Sequence, residues 1–105
     1  MKIHLICRDR LGLKVTTFPQ YQSGSWDIPE SDAQLLKTAN GTIYLHEKKS
    51  ESSYFGGTID DYEVVEIDAA HSKRILFKLT STRDGRGKAW DGRDDTNAWY
   101  SGVVE

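Results

Sequence analysis

The most chemically varied stretch of the sequence, residues 83–102, reads RDGRGKAWDGRDDTNAWYSG. Cationic side chains of this kind can contact phosphate groups, and a tryptophan ring can stack on a nucleic-acid base. Aspartates followed by glycine, as at Asp84 and Asp91, favour turn geometry instead. The segment therefore predicts a loop that binds nucleic acid or a nucleotide, through Arg83, Arg86, Lys88, Trp90 and Arg93.

A second candidate region is the motif YFGG at residues 54–57. Two glycines that follow two aromatic residues inside a strand pattern indicate a bulge or a close approach of two backbone segments. They can also form the edge of a cleft, where a ligand lies against bare backbone with Tyr54 beside it. Both interpretations stay open, and the second adds Gly56 and Gly57 to the predicted site.

Residues that could hold a metal or catalyse a reaction lack the spacing that such sites require. The three histidines lie on separate segments, and the single cysteine excludes a cysteine zinc site and an internal disulfide. The aspartates of residues 83–102 lack the alternating ligand positions of a calcium loop. We therefore expect no metal and no cofactor, and no residue is assigned as catalytic.

An enzyme is the less favoured class, but a small RNA- or nucleotide-processing enzyme that uses Lys88 with Asp91 or His46 stays an alternative.

The distribution of charge favours an anionic ligand at one region and a different partner at another. The 105 residues carry 14 basic and 16 acidic side chains, a net charge of −2, which argues mildly against a non-specific DNA-binding protein. Residues 71–93 nevertheless contain seven basic side chains against two acidic ones. Residues 58–70 contain five acidic side chains and no basic one, so the acidic edge 60–68 predicts the alternative function, a protein-interaction or inhibitor module.

The elements that must position these residues are mostly strands. Alternating apolar residues and frequent Gly, Asn and Asp turns predict about seven short strands, with residues 98–104 in the last of them. Residues 29–41 predict one short helix, with Ser31 as its N-cap and both Leu35 and Leu36 facing inward. We expect an α+β, β-rich single domain over residues 1–105, built as a small antiparallel curled sheet or pseudo-barrel. The apolar start of the chain is too short for a membrane span or signal peptide, so we expect a cytoplasmic protein without membrane contact.

The pattern GTIYLHEKK, YFGGTIDDYEVVE and RILFKLT, which follows the predicted helix, resembles the PUA-like superfamily that includes the ASCH and EVE domains. The resemblance covers roughly residues 31–80. It implies a small pseudo-barrel that recognises RNA or modified bases in a cleft between barrel and helices. It also implies that Tyr44, Tyr54, Gly56 and the loop around Trp90 line this cleft.

The Gly-x-Lys-x-x-Glu-x-Arg signature of ASCH domains is matched only in part. Lys88, Asp91 and Arg93 reproduce the spacing, with Asp for Glu, but Arg86 occupies the glycine position. The match also lies near the end of the chain, where the family carries its signature near the start of the domain. We therefore transfer no catalytic role from the family.

Overall fold

The computed structural model describes residues 1–66, 73–92 and 99–105. This part of the chain contains six strands, one α-helix and two single 3₁₀ turns at Arg8–Arg10 and Arg83–Gly85. In chain order the main elements are β1 (Lys2–Ile6), β2 (Leu13–Thr17), β3 (Gln20–Trp26), α1 (Glu30–Thr38), β4 (Thr42–His46), β5 (Phe55–Glu66) and β6 (Lys73–Ser81). The predicted α+β, β-rich class with one short helix is confirmed.

The six strands form one sheet in the order β1-β4-β5-β6-β3-β2. Every neighbouring pair is antiparallel except β1 and β4, which run parallel with Ile3 beside Ile43. The expectation of a purely antiparallel sheet is therefore wrong for this pair. A parallel pair needs a long crossover, and here residues 7–41 supply it with β2, β3 and α1.

The sheet is curled but open, so of the two predicted alternatives the curled sheet is confirmed and the pseudo-barrel is not. Among the described residues, the outer edges of β1 and β2 do not meet. The expected seventh strand is reduced to two isolated bridges, Lys2 with Val104 and Leu5 with Tyr100. Between them Gly102 adopts a positive φ of 72°, which interrupts an extended conformation.

The hydrophobic core lies between one face of the sheet and α1. Side chains alternate along a strand, so residues in register share a face. The buried set is Ile3, Leu5, Ile43, Leu45, Ile59, Ile75, Phe77 and Leu79 from the strands, with Ala33 and Leu36 from the helix. Each buried aliphatic side chain stabilises the fold by about 1.5–3 kcal/mol relative to an exposed one.

Two details of the helix differ from the sequence prediction. The N-cap is Pro29, whose extended backbone presents its carbonyl to the amides of Asp32 and Ala33, and Ser31 already lies inside the helix. Leu36 is fully buried whereas Leu35 is 48% exposed. Adjacent residues on a helix point about 100° apart, so a one-sided contact with a sheet buries only one of them.

No helix in residues 1–66, 73–92 and 99–105 combines the length and the apolar character that crossing a membrane would require.

Candidate functional site

Three loops gather at one end of the sheet, and together they are basic. Cys7 donates its amide to the His46 carbonyl, and the amide of Asp9 donates to the Glu47 carboxylate at 3.0 Å. The backbone of Ser53 pairs with that of Lys88. Residues 8–10, 47–54 and 83–88, which we call the loop end, carry seven basic and four acidic side chains. The loop end is thus positive although the whole chain has a net charge of −2.

A cleft of about 530 Å³ opens at this end, and we call it the arginine cleft. The described residues of its lining include two cationic side chains, three aromatic rings and no carboxylate: Phe18, Pro19, Tyr21, Phe55, Gly56, Ser81, Thr82, Arg83 and Arg86. Arg83 and Arg86 are exposed and form no ion pair with any described residue. Phe18 is 77% exposed, an unusual state for an aromatic ring on a small domain.

The arginine cleft exists because two glycines let the 3₁₀ turn at residues 83–85 approach β5. A Cβ atom on Gly85 would lie 2.3 Å from the carbonyl oxygen of Gly56, far inside van der Waals contact. The amide of Thr82 donates to the same carbonyl at 3.1 Å. Tyr21 and Phe55 meet edge to face, with ring centroids 4.8 Å apart, and both rings line the cleft. Arg83 and Arg86 therefore project from a turn that is fixed on both sides.

Ser53 holds the next part of the loop. It is buried, its hydroxyl donates to the Gly85 carbonyl at 2.7 Å, and it accepts from the Lys88 amide at 3.0 Å. Its carbonyl accepts from the Gly87 amide at 2.8 Å. Sequence inspection finds no nucleophile motif around Ser53, and its contacts give it a structural role. The Lys88 side chain is exposed but does not line the arginine cleft.

Trp90 packs on a second group of residues, which we call the histidine cluster: His4, Tyr44, His46 and Trp90. The indole centroid lies 5.7 Å from the His4 ring and 5.3 Å from the His46 ring. Tyr44 stacks on His4 at 5.0 Å, and the Lys49 ammonium lies 5.7 Å from the centre of the indole. Two predicted site residues, Tyr44 and Trp90, thus meet here, away from the arginine cleft.

The two histidines of this cluster are buried and hydrogen-bonded to each other. His4 Nδ1 lies 2.8 Å from His46 Nε2, and His46 Nδ1 donates to the carbonyl of Glu51 at 2.9 Å. Burial disfavours the charged form and lowers the pKa of His4 to about 4, with the neighbouring His46 adding to the shift. Burial also lowers the pKa of His46. Both imidazoles are therefore neutral at pH 7.

Tyr54 has its hydroxyl fixed inside the loop end. It donates to the carbonyl of Cys7 at 2.5 Å, and the guanidinium of Arg10 lies 5.5 Å from the centre of the ring. Burial raises the pKa of Tyr54 well above its usual value and also raises that of the Cys7 thiol. Arg10 also lies 5.8 Å from the ring of Phe55, so it stands beside the arginine cleft. Tyr54 itself does not line that cleft.

The acidic edge has partners within the chain. Asp60 accepts from the Thr80 hydroxyl at 2.7 Å, Asp61 pairs with Lys37 at 3.0 Å, and Glu63 pairs with Lys78 at 3.4 Å. The Lys37 ammonium lowers the pKa of Asp61. Residues 67 and 68, the end of the predicted edge, lie outside the described residues.

The structure therefore brings Gly56, Arg83 and Arg86 together and separates them from Tyr44, Tyr54, Lys88 and Trp90. Gly57 serves packing, since a Cβ there would lie 2.1 Å from the Thr80 carbonyl oxygen. Arg93 lies outside the described residues. Sequence inspection missed Phe18, which lies before Pro19 in the short β2–β3 turn and whose exposure only the structure shows. It also missed Arg10, which only the fold brings near Phe55.

Within the described part of the chain, no group of three or more His, Cys, Asp or Glu side chains could hold a metal ion. No family model, no curated protein and no solved structure matches this chain.

Proposed function

We propose that the protein binds a single-stranded nucleic acid, or a nucleotide from one, in the arginine cleft. The observation that carries the proposal is the lining of that cleft: its described residues combine two arginines that lack an ion pair, an exposed phenylalanine and no carboxylate. A guanidinium donates two parallel hydrogen bonds to phosphate oxygens, and an aromatic face stacks on any base. Arg83 and Arg86 would hold phosphate, and Phe18 would hold a base.

The size and the electrostatics of the cleft suit this ligand. A volume of about 530 Å³ falls in the usual range of small-molecule sites, about 300–1,000 Å³. The excess of basic side chains at the loop end would attract a polyanion and raise its rate of association. Gly56 contributes a surface without a side chain, where a sugar or phosphate can approach the backbone closely.

A single strand is favoured over a duplex because stacking on Phe18 needs an unpaired base. A mononucleotide would use the same contacts with fewer phosphates. The resemblance to PUA-like domains points to the same ligand class. That relationship stays a proposal, because the sheet of this protein is open whereas the resemblance implies a pseudo-barrel. The alternative interaction module is less favoured, because Asp60, Asp61 and Glu63 already have partners in the chain.

Binding of labelled single-stranded RNA, single-stranded DNA, duplex and mononucleotide, measured by fluorescence anisotropy at low salt, tests this proposal. We expect the single strands to bind best. The double variant Arg83→Ala/Arg86→Ala should lose at least tenfold in affinity. The matched control is Lys14→Ala/Lys73→Ala, which removes the same charge from exposed positions outside the cleft.

An equal loss of affinity in both double variants would mean that only net charge matters and would reject the cleft as the site. Absence of binding by the parent to every probe would reject the function.

A further inference from the structure

The hydrogen bonds of the buried His4–His46 pair determine where its protons lie. A carbonyl only accepts, so His46 must carry its proton on Nδ1, which donates to Glu51. Neutral His46 then has an unprotonated Nε2, and His4 must donate to it from Nδ1. Neutral His4 is consequently left with an unprotonated Nε2.

His4 Nε2 is the one buried side-chain nitrogen or oxygen among the described residues that lacks a hydrogen-bond partner. As a neutral acceptor it can be tolerated, but it is also the atom that would take up the next proton. The resulting N–H would be buried, charged and without an acceptor, which is strongly unfavourable unless water reaches it. Trp90 packs on both rings, so we expect Trp90 to move when water reaches this atom.

The charges around the pair act in opposite directions. The Lys2 ammonium opposes protonation of His4, while the Asp91 carboxylate favours it, and these two groups pair with each other at 3.1 Å. Lys49 stands over Trp90, and the Glu51 carboxylate is paired with Lys48 at 3.4 Å. No carboxylate among the described residues accepts a hydrogen bond from either imidazole, so nothing there stabilises a buried imidazolium directly.

Trp90 belongs to the same short segment as the arginines of the cleft. The segment is attached to the body by the two glycine contacts, by Ser53, by the Asp91–Lys2 ion pair and by the packing of Trp90 on the histidines. We propose that the His4–His46 pair is a proton-sensitive clasp: uptake of a proton by His4 displaces Trp90 and releases residues 87–92 from the sheet. The lowered pKa of His4 places this transition below pH 6.5 and toward pH 4.

Hydrogen exchange at the amides of Gly87 and Lys88, which bond to Ser53, tests the clasp directly. Between pH 7 and pH 4.5, after correction for intrinsic exchange chemistry, we expect protection of these amides to fall at least tenfold in the parent. Amides of β6 should keep their protection, which excludes global unfolding. The variant His4→Phe, which keeps an aromatic ring at this position and removes the titrating nitrogen, should show no such fall.

Two controls separate the His4 clasp from other titrating groups. Asp91→Asn removes the carboxylate near His4 and should keep the transition, and His71→Gln removes the remaining histidine and should leave it unchanged. If His4→Phe does not fold, ¹⁵N chemical shifts of the parent imidazoles decide. We expect an unprotonated His4 Nε2 at pH 7 that gains its proton together with the loss of Gly87 protection.

Protection of Gly87 that does not change with pH, or that falls equally in His4→Phe, would overturn the proposal. Its consequence for ligand binding rests on the proposed function: oligonucleotide affinity should fall below pH 6 in the parent and not in His4→Phe. A parent that binds no oligonucleotide at any pH would reject the proposed function and leave the exchange result unaffected.

Discussion

The two halves of residues 83–92 differ in whether their side chains already have partners. Arg83 and Arg86 project into the arginine cleft without an ion pair to any described residue. Trp90 is packed on two buried rings, and Asp91 is paired with Lys2. A side chain without an ion pair in the unbound protein can form hydrogen bonds and ion pairs with a ligand at once. A packed side chain would first have to lose its contacts with the protein.

This contrast assigns separate tasks to neighbouring residues. The first half of the segment is a candidate for recognition, and the second half keeps the first in place. Binding residues often lie on loops that a rigid scaffold holds in place. Here Trp90 and Asp91, which belong to the same segment as the two arginines, provide part of that support. Variants that affect one half of the segment and leave the other unchanged test this division.

The largest expected effect comes from Gly85→Ala, which should disturb both halves. The added Cβ would lie 2.3 Å from the Gly56 carbonyl oxygen, so the turn must shift away from β5. We expect a loss of about 3 kcal/mol in the free energy of unfolding, measured by urea titration.

Gly87→Ala is the control, because its Cβ meets nothing within 4 Å and only its positive φ of 80° opposes the change. That variant should lose about 1 kcal/mol, and an equal loss in both would contradict the role of the close contact.

Trp90→Ala should reduce stability and leave ligand affinity largely intact. Full burial of a tryptophan is worth about 3–5 kcal/mol on truncation, and Trp90 is half-buried, so we expect a loss of about 2 kcal/mol. Thermal melting and oligonucleotide affinity should be measured on the same samples. Unchanged melting together with lost affinity would mean that Trp90 contacts the ligand, and the division between the two halves would be wrong.

How much of this arrangement was predictable depends on the range of the contacts involved. Alternating patterns such as Ile43 and Leu45 act over a few residues, and they predicted the β-rich α+β class correctly. The parallel pairing of β1 with β4 joins Ile3 to a residue forty positions away, and no local pattern specifies it. Ser31 was misplaced because the extended backbone of Pro29, one residue before the helix, already supplies the cap.

The candidate site was predicted in part for the same reason. Arg83, Arg86 and Gly56 are conspicuous by type, and the fold does bring them together. The separation of Trp90 from them results from His4 and His46, which look like ordinary strand residues until β1 and β4 pair. The arginines lack an ion pair because the fold places no described carboxylate beside them, and the residue types along the chain do not specify this.

The pH dependence of stability should show the cost of burying the histidines. Because the pKa of folded His4 is below its unfolded value of 6.5, the unfolded state binds more protons in this window. Stability is therefore complete above pH 6.5 and is lost as pH falls toward 4. The slope should be about 1.4 kcal/mol per pH unit for each fully depressed histidine. Urea titrations between pH 7 and pH 5, above the range of most carboxylates, should give a shallower slope for His4→Phe. Identical slopes would contradict the assignment.

Phe18→Ala should have almost no effect on stability, since the ring is 77% exposed. It should nevertheless weaken binding of a single strand by about 1–3 kcal/mol if a base stacks on it. Val15→Ala is a matched control on the neighbouring strand, exposed and outside the cleft lining. A loss of affinity confined to Phe18→Ala supports stacking, and equal affinities of both variants and the parent would remove Phe18 from the site.

The salt dependence of oligonucleotide binding measures how many of the ligand's phosphates Arg83 and Arg86 hold. Each phosphate contact on a single strand contributes about 0.7 to the slope of log affinity against log salt. Loss of Arg83 and Arg86 should therefore reduce the magnitude of the slope by about 1.4 relative to the parent, and Lys14→Ala/Lys73→Ala should leave it unchanged. A slope that is the same in the parent and in Arg83→Ala/Arg86→Ala would contradict the claim that these two arginines hold the ligand's phosphates.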